Sequence, residues 1–176
     1  GSDLGPGFMS HSKDLVKDRF FMEGVSEQHV IGMAAGMALE GYLPYVNTIS
    51  TFLTRRCFEQ IVVDLCLQNL PVKLIGNGGG LVYGHLGPTH QAIEDISVMR
   101  TIPNMTVIET GDATEVENIC EQANNVDGPV YCRILRGSVP RLFDTPLKIG
   151  DVRVLNSGTD ILLITSGICT EEALRA

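Results

Sequence analysis

Short apolar runs alternate with longer amphipathic stretches along the chain. The runs predict strands at residues 43–49, 72–75, 105–109 and 130–134. Between them, apolar positions at helical spacing predict helices at residues 27–40, 55–69 and 114–124. Alternating strands and helices are typical of a parallel sheet covered by helices. We therefore expect an α/β fold, a three-layer sandwich with a mainly parallel sheet.

The pattern changes after Arg141. Residues 143–150 include Pro146 and predict a linker. Residues 152–155 and 161–165 predict two further strands, and Thr170 begins a further helix. We expect one domain at residues 1–142, a linker at 143–150, and the truncated beginning of a second domain at 151–176. The chain starts abruptly, with a predicted loop at residues 3–5 and no strand before it, which indicates a fragment.

The composition is that of a folded protein, with 44% hydrophobic and 19% charged residues. The net charge of -8 repels phosphate backbones, so we expect no nucleic-acid partner. The five cysteines form no CxxC pair, which favours a reducing compartment, and the cytoplasm is the expected location. No apolar run is long enough to span a bilayer, so we expect no membrane partner.

The sequence Gly-Val-Ser-Glu-Gln-His at residues 24–29 opens the first predicted helix. It places the Glu27 carboxylate in the first turn, where the helix dipole stabilises a negative charge. Small residues at positions 32–38 let another helix approach closely, so we expect this helix to be buried. The pattern leaves two interpretations open: Glu27 is a functional carboxylate, or Ser26 and Glu27 only cap the helix.

Two histidines, His85 and His90, flank a Gly-Pro turn at residues 87–88. Histidine is the usual proton shuttle near neutral pH, so this loop is a candidate for catalysis. Histidines that only bond to the backbone are the commoner case. A metal site is disfavoured because no cysteine or carboxylate lies at a typical ligand spacing, and we predict no metal ligand on this chain.

Three arginines, Arg133, Arg136 and Arg141, surround a predicted strand end. Such a cluster could bind a substrate phosphate, although a solvated rim is the ordinary alternative. The glycines at residues 78–80 follow a strand but lack both GxGxxG and a P-loop lysine, which argues against dinucleotide binding. Asp112 precedes the third predicted helix, where it or Thr114 is the expected N-cap.

Together these segments resemble the transketolase family. Residues 24–29 are similar to the GxxEQH signature of deoxyxylulose-phosphate synthases, and Ser-Thr-Phe-Leu-Thr-Arg at 50–55 is similar to their STFLxR segment. Gly-Pro-Thr-His-Gln at 87–91 matches the transketolase GPTHQ segment, and residues 134–137 resemble the strand-end arginine of the same domain. The resemblance implies a pyrimidine-binding (Pyr-type) domain of a thiamine diphosphate enzyme.

The resemblance also implies roles for individual residues. Glu27 would be catalytic, through a hydrogen bond to N1′ of the aminopyrimidine ring of thiamine diphosphate. Phe52 would flank that ring, with Arg55 and Phe58 completing the cofactor pocket. Transketolases often have a second aromatic residue at the position of Arg55. Deoxyxylulose-phosphate synthases have an arginine there, as this chain does. For Phe58, plain core packing is an equally good interpretation.

On the substrate side, the resemblance makes His90 a second catalytic residue, which would contact substrate hydroxyls or relay protons. Arg136 would bind a sugar phosphate. Two positions depart from the family pattern: Leu86 replaces the usual aspartate, and Gly78 replaces a histidine. His85 is a candidate substitute for one of the lost polar contacts. These departures put the usual ketose substrate in doubt.

The implied function is transfer of a two-carbon ketol unit from a ketose phosphate to an aldose. Alternatives are a deoxyxylulose-phosphate-synthase-like or 2-oxo-acid dehydrogenase β-like subunit, or a non-catalytic domain that keeps the fold. In the family, a different domain holds the diphosphate and Mg²⁺. The resemblance therefore implies a homo- or hetero-oligomer with such a domain or subunit, and the small-residue helix suits a dimer interface.

Overall fold

The structure, a computed structural model, describes residues 10–176. Its strands are β1 (Tyr45–Ile49), β2 (Lys73–Asn77), β3 (Thr106–Glu109) and β4 (Val130–Ile134). Its α-helices are α1 (Ser10–Leu15), α2 (Glu27–Leu39), α3 (Ser50–Thr54), α4 (Phe58–Gln60), α5 (Asp95–Met99), α6 (Ala113–Asn124) and α7 (Cys169–Arg175). None of these helices is both long and apolar enough to cross a bilayer. The predicted loop at residues 3–5 lies outside the described residues.

The four strands form one parallel sheet in the order β1-β2-β4-β3. Helical segments after β1, β2 and β3 return the chain to the amino end of the sheet, as parallel pairing requires. The expected strand at 130–134 has the predicted bounds, while the other three strands begin one or two residues later than expected. The prediction of an α/β fold with a parallel sheet is confirmed.

Helices cover both faces of the sheet. On one face, the side chains of Val46, Leu74 and Tyr131 pack in a core with α2 and the segment after α4. On the other face, a smaller core contains Ile75 and Cys132 with residues of α6. Neighbouring strand residues thus point to opposite faces, and helices cover both faces, which explains why apolar residues occur at adjacent strand positions.

Helix α2 is expected to be buried, and within this chain only one side of it is. Ala34 and Ala35 lie in the core, but Gly32 and Gly36 are exposed on the other side of the helix. The alanines therefore pack in the core, while the glycines lie on the exposed side of the helix. Among the described residues, nothing lies within 4 Å of a Cβ added at either glycine.

The predicted helix at residues 55–69 is interrupted in the structure. Residues 55–57 form a turn after α3, α4 follows, and Ile61–Cys66 then continue as a π-helix. The apolar face is as expected, since Ile61 and Leu65 are fully buried. The structure differs from the prediction at residues 55–57, which form a turn instead of the start of the helix. The turn places Arg55 and Arg56 at the sheet edge. Wider π-helical turns are frequent next to functional sites.

The two strands predicted at residues 152–155 and 161–165 are absent from the structure. Their apolar side chains are largely exposed: Val152 is 90% exposed and Ile164 is 87% exposed. A strand needs a hydrogen-bonded neighbour, and no segment in the described part of the chain pairs with either one.

The helix expected from Thr170 is present as α7, one residue longer at its start.

Lys73, at the start of β2, is completely buried. Its ammonium group donates hydrogen bonds to the carbonyl oxygens of Val126, at 2.8 Å, and Gly128, at 3.0 Å. Burial lowers the pKa of this ammonium group, and the negative charge of Asp127 partly opposes that shift. The lysine therefore ties β2 to the loop that leads into β4.

Asp112 is the N-cap of α6, as expected. One carboxylate oxygen accepts a hydrogen bond from the Glu115 amide at 2.8 Å. The other accepts from the amides of Leu142 and Phe143, at 2.9 and 3.0 Å. The same buried side chain thus begins a helix and fixes the end of the domain predicted at residues 1–142.

Replacing Asp112 by alanine should lower the free energy of unfolding by about 2–4 kcal/mol, because it removes a cap and leaves two amides without their acceptor. Chemical denaturation measures the effect. Glu121→Ala, on the exposed side of the same helix, is the control and should change stability by less than about 0.5 kcal/mol. Equal midpoints for the two variants would contradict this account of Asp112.

Candidate functional site

The candidate residues collect at the carboxyl edge of the sheet. Helix α3 follows β1 and carries Phe52, the loop after β2 carries His90, and the segment after β4 carries Arg136. Helix α2 precedes β1 and runs antiparallel to it. Its last residues therefore lie at the amino edge of the sheet, and its first residue, Glu27, lies at the carboxyl edge. In open α/β sheets this edge is the usual place for ligand sites.

The Glu27 carboxylate is buried, with only 2% of the residue exposed. The Arg56 guanidinium approaches it, with Nη1 donating to Oε2 at 2.6 Å. The Gln28 side-chain amide donates to the Arg56 carbonyl at 3.1 Å and so holds the start of α2 against this turn. A buried carboxylate at a helix N-terminus, paired with a cation, is a stable arrangement for an otherwise costly charge.

Phe52 joins Glu27 to the histidine loop. The Arg56 guanidinium carbon lies 4.0 Å from the centroid of the Phe52 ring. On the loop side, the rings of Phe52 and His90 meet edge to face with their centroids 5.1 Å apart. Glu27, Phe52 and His90 therefore lie close together at the carboxyl edge of the sheet.

Arg55 fixes the histidine loop. Its Nη2 donates to the carbonyl oxygens of Pro88, at 3.0 Å, and Thr89, at 3.1 Å, while its Nε pairs with Glu94 at 3.1 Å. The Thr89 hydroxyl in turn lies 2.9 Å from Nδ1 of His90. In this structure Arg55 therefore contacts the loop that carries His90, and its part in the cofactor pocket stays a prediction.

Tyr83 is a site residue that the sequence analysis missed. It is buried with Ile49 and Phe52, and its ring centroid lies 6.2 Å from that of His90. Its hydroxyl accepts a hydrogen bond from Nη1 of Arg136 at 3.3 Å, and the guanidinium carbon is 5.4 Å from the ring centroid. Tyr83 thus connects the histidine with the arginine expected to bind phosphate.

Gly78 leaves the space that the Tyr83 ring fills. The backbone φ of Gly78 is +74°, and a Cβ at this position would overlap the tyrosine ring. The position where the family usually has a histidine is therefore taken by the side chain of a different residue. No local pattern signals this substitution, because residues 78 and 83 meet only through the fold of the loop.

Of the three arginines near the end of β4, two are engaged in ion pairs. Arg133 pairs with Asp95, Nε to Oδ2 at 2.9 Å, and with Glu109. Arg141 pairs with Glu117 at 2.6 Å. No carboxylate among the described residues pairs with Arg136. Arg136 is therefore the best placed of the three for an anionic ligand.

The Arg133 pairs belong to a buried network below the site. Asp95 Oδ2 also accepts from the Tyr131 hydroxyl at 2.7 Å. Burial and the adjacent Asp95 charge raise the pKa of the Tyr131 phenol well above its ordinary value, so Tyr131 acts here as a hydrogen-bond donor. The network fixes β4 against α5 and the loop before it.

Phe58 and His85 lie apart from this group. Phe58 is partly exposed at the start of α4, and His85 is exposed in the loop next to Leu86. No ring contact or hydrogen bond among the described residues ties either of them to Phe52 or His90.

Two concave regions open beside the site. One, of about 150 Å³, is lined by Arg136 and by Val82, Leu135, Ser138 and Ile168 among others. A wider one, of about 630 Å³, lies between Gly79–Val82 and residues 164–169. Neither region includes Glu27, Phe52 or His90. In the described part of the chain, no three His, Cys, Asp or Glu side chains are grouped to hold a metal ion.

Comparison with known proteins identifies the family. The family model described as "Transketolase, pyrimidine binding domain" matches residues 1–141. A transketolase family protein of Sinorhizobium fredii is 40% identical over 162 residues, which are 90% of this chain and 47% of the relative. The 1-deoxy-D-xylulose-5-phosphate synthase of Carboxydothermus hydrogenoformans is 42% identical over 162 residues, which are 90% of this chain and 26% of the synthase.

Solved structures agree with this result. A protein described as a split gene transketolase, an inactive β4 tetramer, superposes with a TM-score of 0.88 at 34% identity, over 99% of this chain and 57% of that one. A transketolase of Campylobacter jejuni has the same fold, with a TM-score of 0.65 at 24% identity over 70% of this chain and 20% of that one.

The chain belongs to the transketolase pyrimidine-binding domain family. It spans less than half the length of the curated relatives described above.

Replacing Gly78 by alanine should destabilise the chain for two reasons. A side chain at positive φ costs about 1–2 kcal/mol, and displacing the Tyr83 ring adds about 1–3 kcal/mol. Gly24→Ala is the matched control, because Gly24 also has positive φ but no atom within 4 Å of the added Cβ. Denaturant unfolding of both variants tests the claim, and an equal loss of stability would show that Tyr83 does not fill this space.

Proposed function

We propose that the chain supplies the half of a transketolase-like enzyme that holds the aminopyrimidine ring of thiamine diphosphate. The enzyme would transfer a two-carbon ketol unit from a ketose phosphate to an aldose. The observation that carries the proposal is the grouping of a buried helix-terminal carboxylate, Glu27, with the Phe52 ring and the His90 imidazole at one edge of the sheet.

The residues fit the aminopyrimidine in their chemistry. The ring needs a carboxylate beside a ring nitrogen and an apolar surface against its flat face. Glu27 offers the first, and the buried aromatic ring of Phe52 offers the second. When bound, thiamine diphosphate supplies the nucleophilic carbon and the electron sink for breaking the bond next to the ketose carbonyl.

Each protein residue then has a defined task. Glu27 binds the ring nitrogen and holds the proton shared with it, so that the ring keeps one orientation. Phe52 flanks the ring and excludes water, whereas Phe58, which lies apart from it, is assigned to the pocket by the family resemblance alone. Arg55 holds the loop that presents His90, and His90 binds a substrate hydroxyl or moves a proton there.

The outer part of the site would select the substrate. Arg136, held by Tyr83, is suited to the phosphate of a sugar phosphate because a guanidinium matches phosphate geometry. His85, which is exposed next to Leu86, would contribute the polar sugar contact that an aspartate makes elsewhere in the family.

A second domain or subunit would complete the enzyme. We assign the diphosphate and Mg²⁺ to that partner, in either a homo- or a hetero-oligomer, with a dimer as the smallest unit. The similarity to a split gene transketolase described as an inactive tetramer of one subunit type supports this division. On this proposal, the enzyme works in cytoplasmic carbohydrate metabolism. Residues 143–150 form a linker, and residues 151–176 begin a transketolase C-terminal-like domain, which is distinct from the diphosphate-binding one.

A deoxyxylulose-phosphate-synthase-like activity is the second candidate. It is favoured by the identity of about 40% with several such synthases over most of this chain. Arg55 fits that branch as well. Both candidates share the tasks of Glu27 and Phe52 and differ in the substrate that His90 and Arg136 meet.

The first test combines the chain with its diphosphate-binding partner and follows consumption of a panel of ketose phosphates and 2-oxo acids. Glu27→Gln should lower turnover by about 10²- to 10⁴-fold, because the amide cannot hold the shared proton. Circular dichroism and the unfolding midpoint of the variant check that the fold persists. Turnover of Glu27→Gln equal to that of the natural chain would refute the proposal.

The second test concerns the phosphate. Arg136→Gln should raise KM for a phosphorylated donor by about tenfold or more, because it removes a charge-assisted bond of about 1.5–3 kcal/mol. The KM for a donor without a phosphate should stay unchanged. Arg141→Gln is the control, since that guanidinium already pairs with Glu117. If both donors lost affinity equally, Arg136 would not be the phosphate ligand.

A further inference from the structure

Arg56 contacts both residues to which the proposed function gives the cofactor ring. Its Nη1 lies 2.6 Å from Oε2 of Glu27, and its guanidinium carbon lies 4.0 Å from the Phe52 ring centroid. Both contacts come from one planar group. A planar guanidinium that bonds a carboxylate and lies over an aromatic ring uses the same two surfaces that a flat, nitrogen-containing ring would use.

The two occupants exclude each other on geometric grounds. A ring stacked on the same face of Phe52, with a nitrogen at hydrogen-bond distance from Glu27, needs the space that the guanidinium fills. The guanidinium also holds its place well, because a charge-assisted bond is about twice as strong as a neutral one. A ligand that enters must therefore displace Arg56 rather than add to it.

The surroundings of Arg56 allow such a displacement. The residue lies in the turn at residues 55–57, between α3 and α4, and its side chain is 40% exposed. Its side chain can swing into solvent while the turn stays anchored through the Gln28 bond to the Arg56 carbonyl. Arg55 next to it is different, because two backbone carbonyls and Glu94 hold its guanidinium.

We propose that Arg56 occupies the aminopyrimidine site in the cofactor-free chain and leaves it when the cofactor binds. The residue would stabilise the buried Glu27 charge during folding and assembly, and it would lower the apparent affinity for the cofactor. This inference rests on the proposed function, because it takes Glu27 and Phe52 as the residues that receive the ring.

The binding test uses the complete enzyme, freed of cofactor, and isothermal calorimetry with thiamine diphosphate and Mg²⁺. If Arg56 fills the site about nine-tenths of the time, removing it should tighten apparent binding about tenfold. Arg56→Gln is the variant, and Arg100→Gln, which removes an exposed positive charge beyond α5, is the control. The control should bind as the natural protein does.

Weaker or unchanged binding by Arg56→Gln would overturn the inference and leave the proposed function intact, since Arg56 would then coexist with the cofactor. If neither the natural protein nor the variant binds thiamine diphosphate, the proposed function fails and this inference fails with it.

A second measurement examines the Arg56–Glu27 contact without cofactor. In the cofactor-free protein, Arg56→Gln should lower the thermal unfolding midpoint, because a buried carboxylate loses a cation. In a Glu27→Gln background the same change should have little effect, since the carboxylate charge is already gone. An equal shift in both backgrounds would show that the guanidinium does not pair with Glu27, and the inference would be wrong whatever the cofactor does.

Discussion

Parallel pairing of the four strands is the constraint on which the site depends. Parallel strands require each connection to return across a face of the sheet, so every strand ends, and the helix before β1 begins, at one common edge. Residues that are distant in sequence, such as Glu27 in α2 and Arg136 after β4, therefore meet there. The register of the sheet sets where each strand ends along this edge. The buried Lys73 holds the loop before β4, and the buried Asp112 holds the start of α6 and the chain at residues 142–143.

Most of the fold follows from the sequence because burial on both faces gives the strands a simple apolar signal. The strand at residues 130–134 has the predicted bounds, and α6 begins next to the Asp112 cap. The failures concern information that a local pattern does not contain. The helix predicted at 55–69 has the right apolar spacing, but contacts of its first residues with other segments decide where it starts. The two strands predicted after residue 151 lack a pairing neighbour in the described part of the chain.

Some residues of the candidate site could be predicted from the sequence, and others could not. Glu27, Phe52, His90 and Arg136 belong to ordered motifs, so resemblance to a family located them, and the structure brings them to one edge. Their roles remain proposals. Arg56 and Tyr83 have no motif of their own. Arg56 matters because a turn aims it at a carboxylate 29 residues away in sequence, and Tyr83 matters because a glycine leaves room for its ring. Only three-dimensional proximity reveals such residues.

The fit between Gly78 and Tyr83 has an evolutionary consequence. A relative with any side chain at position 78 must carry something smaller than tyrosine at position 83, or must reshape the loop between them. The two positions are thus expected to covary, because a side chain gained at position 78 alone would overlap the Tyr83 ring. Branches of the family that differ at one of these positions are therefore expected to differ at both, which would make the pair a marker of descent.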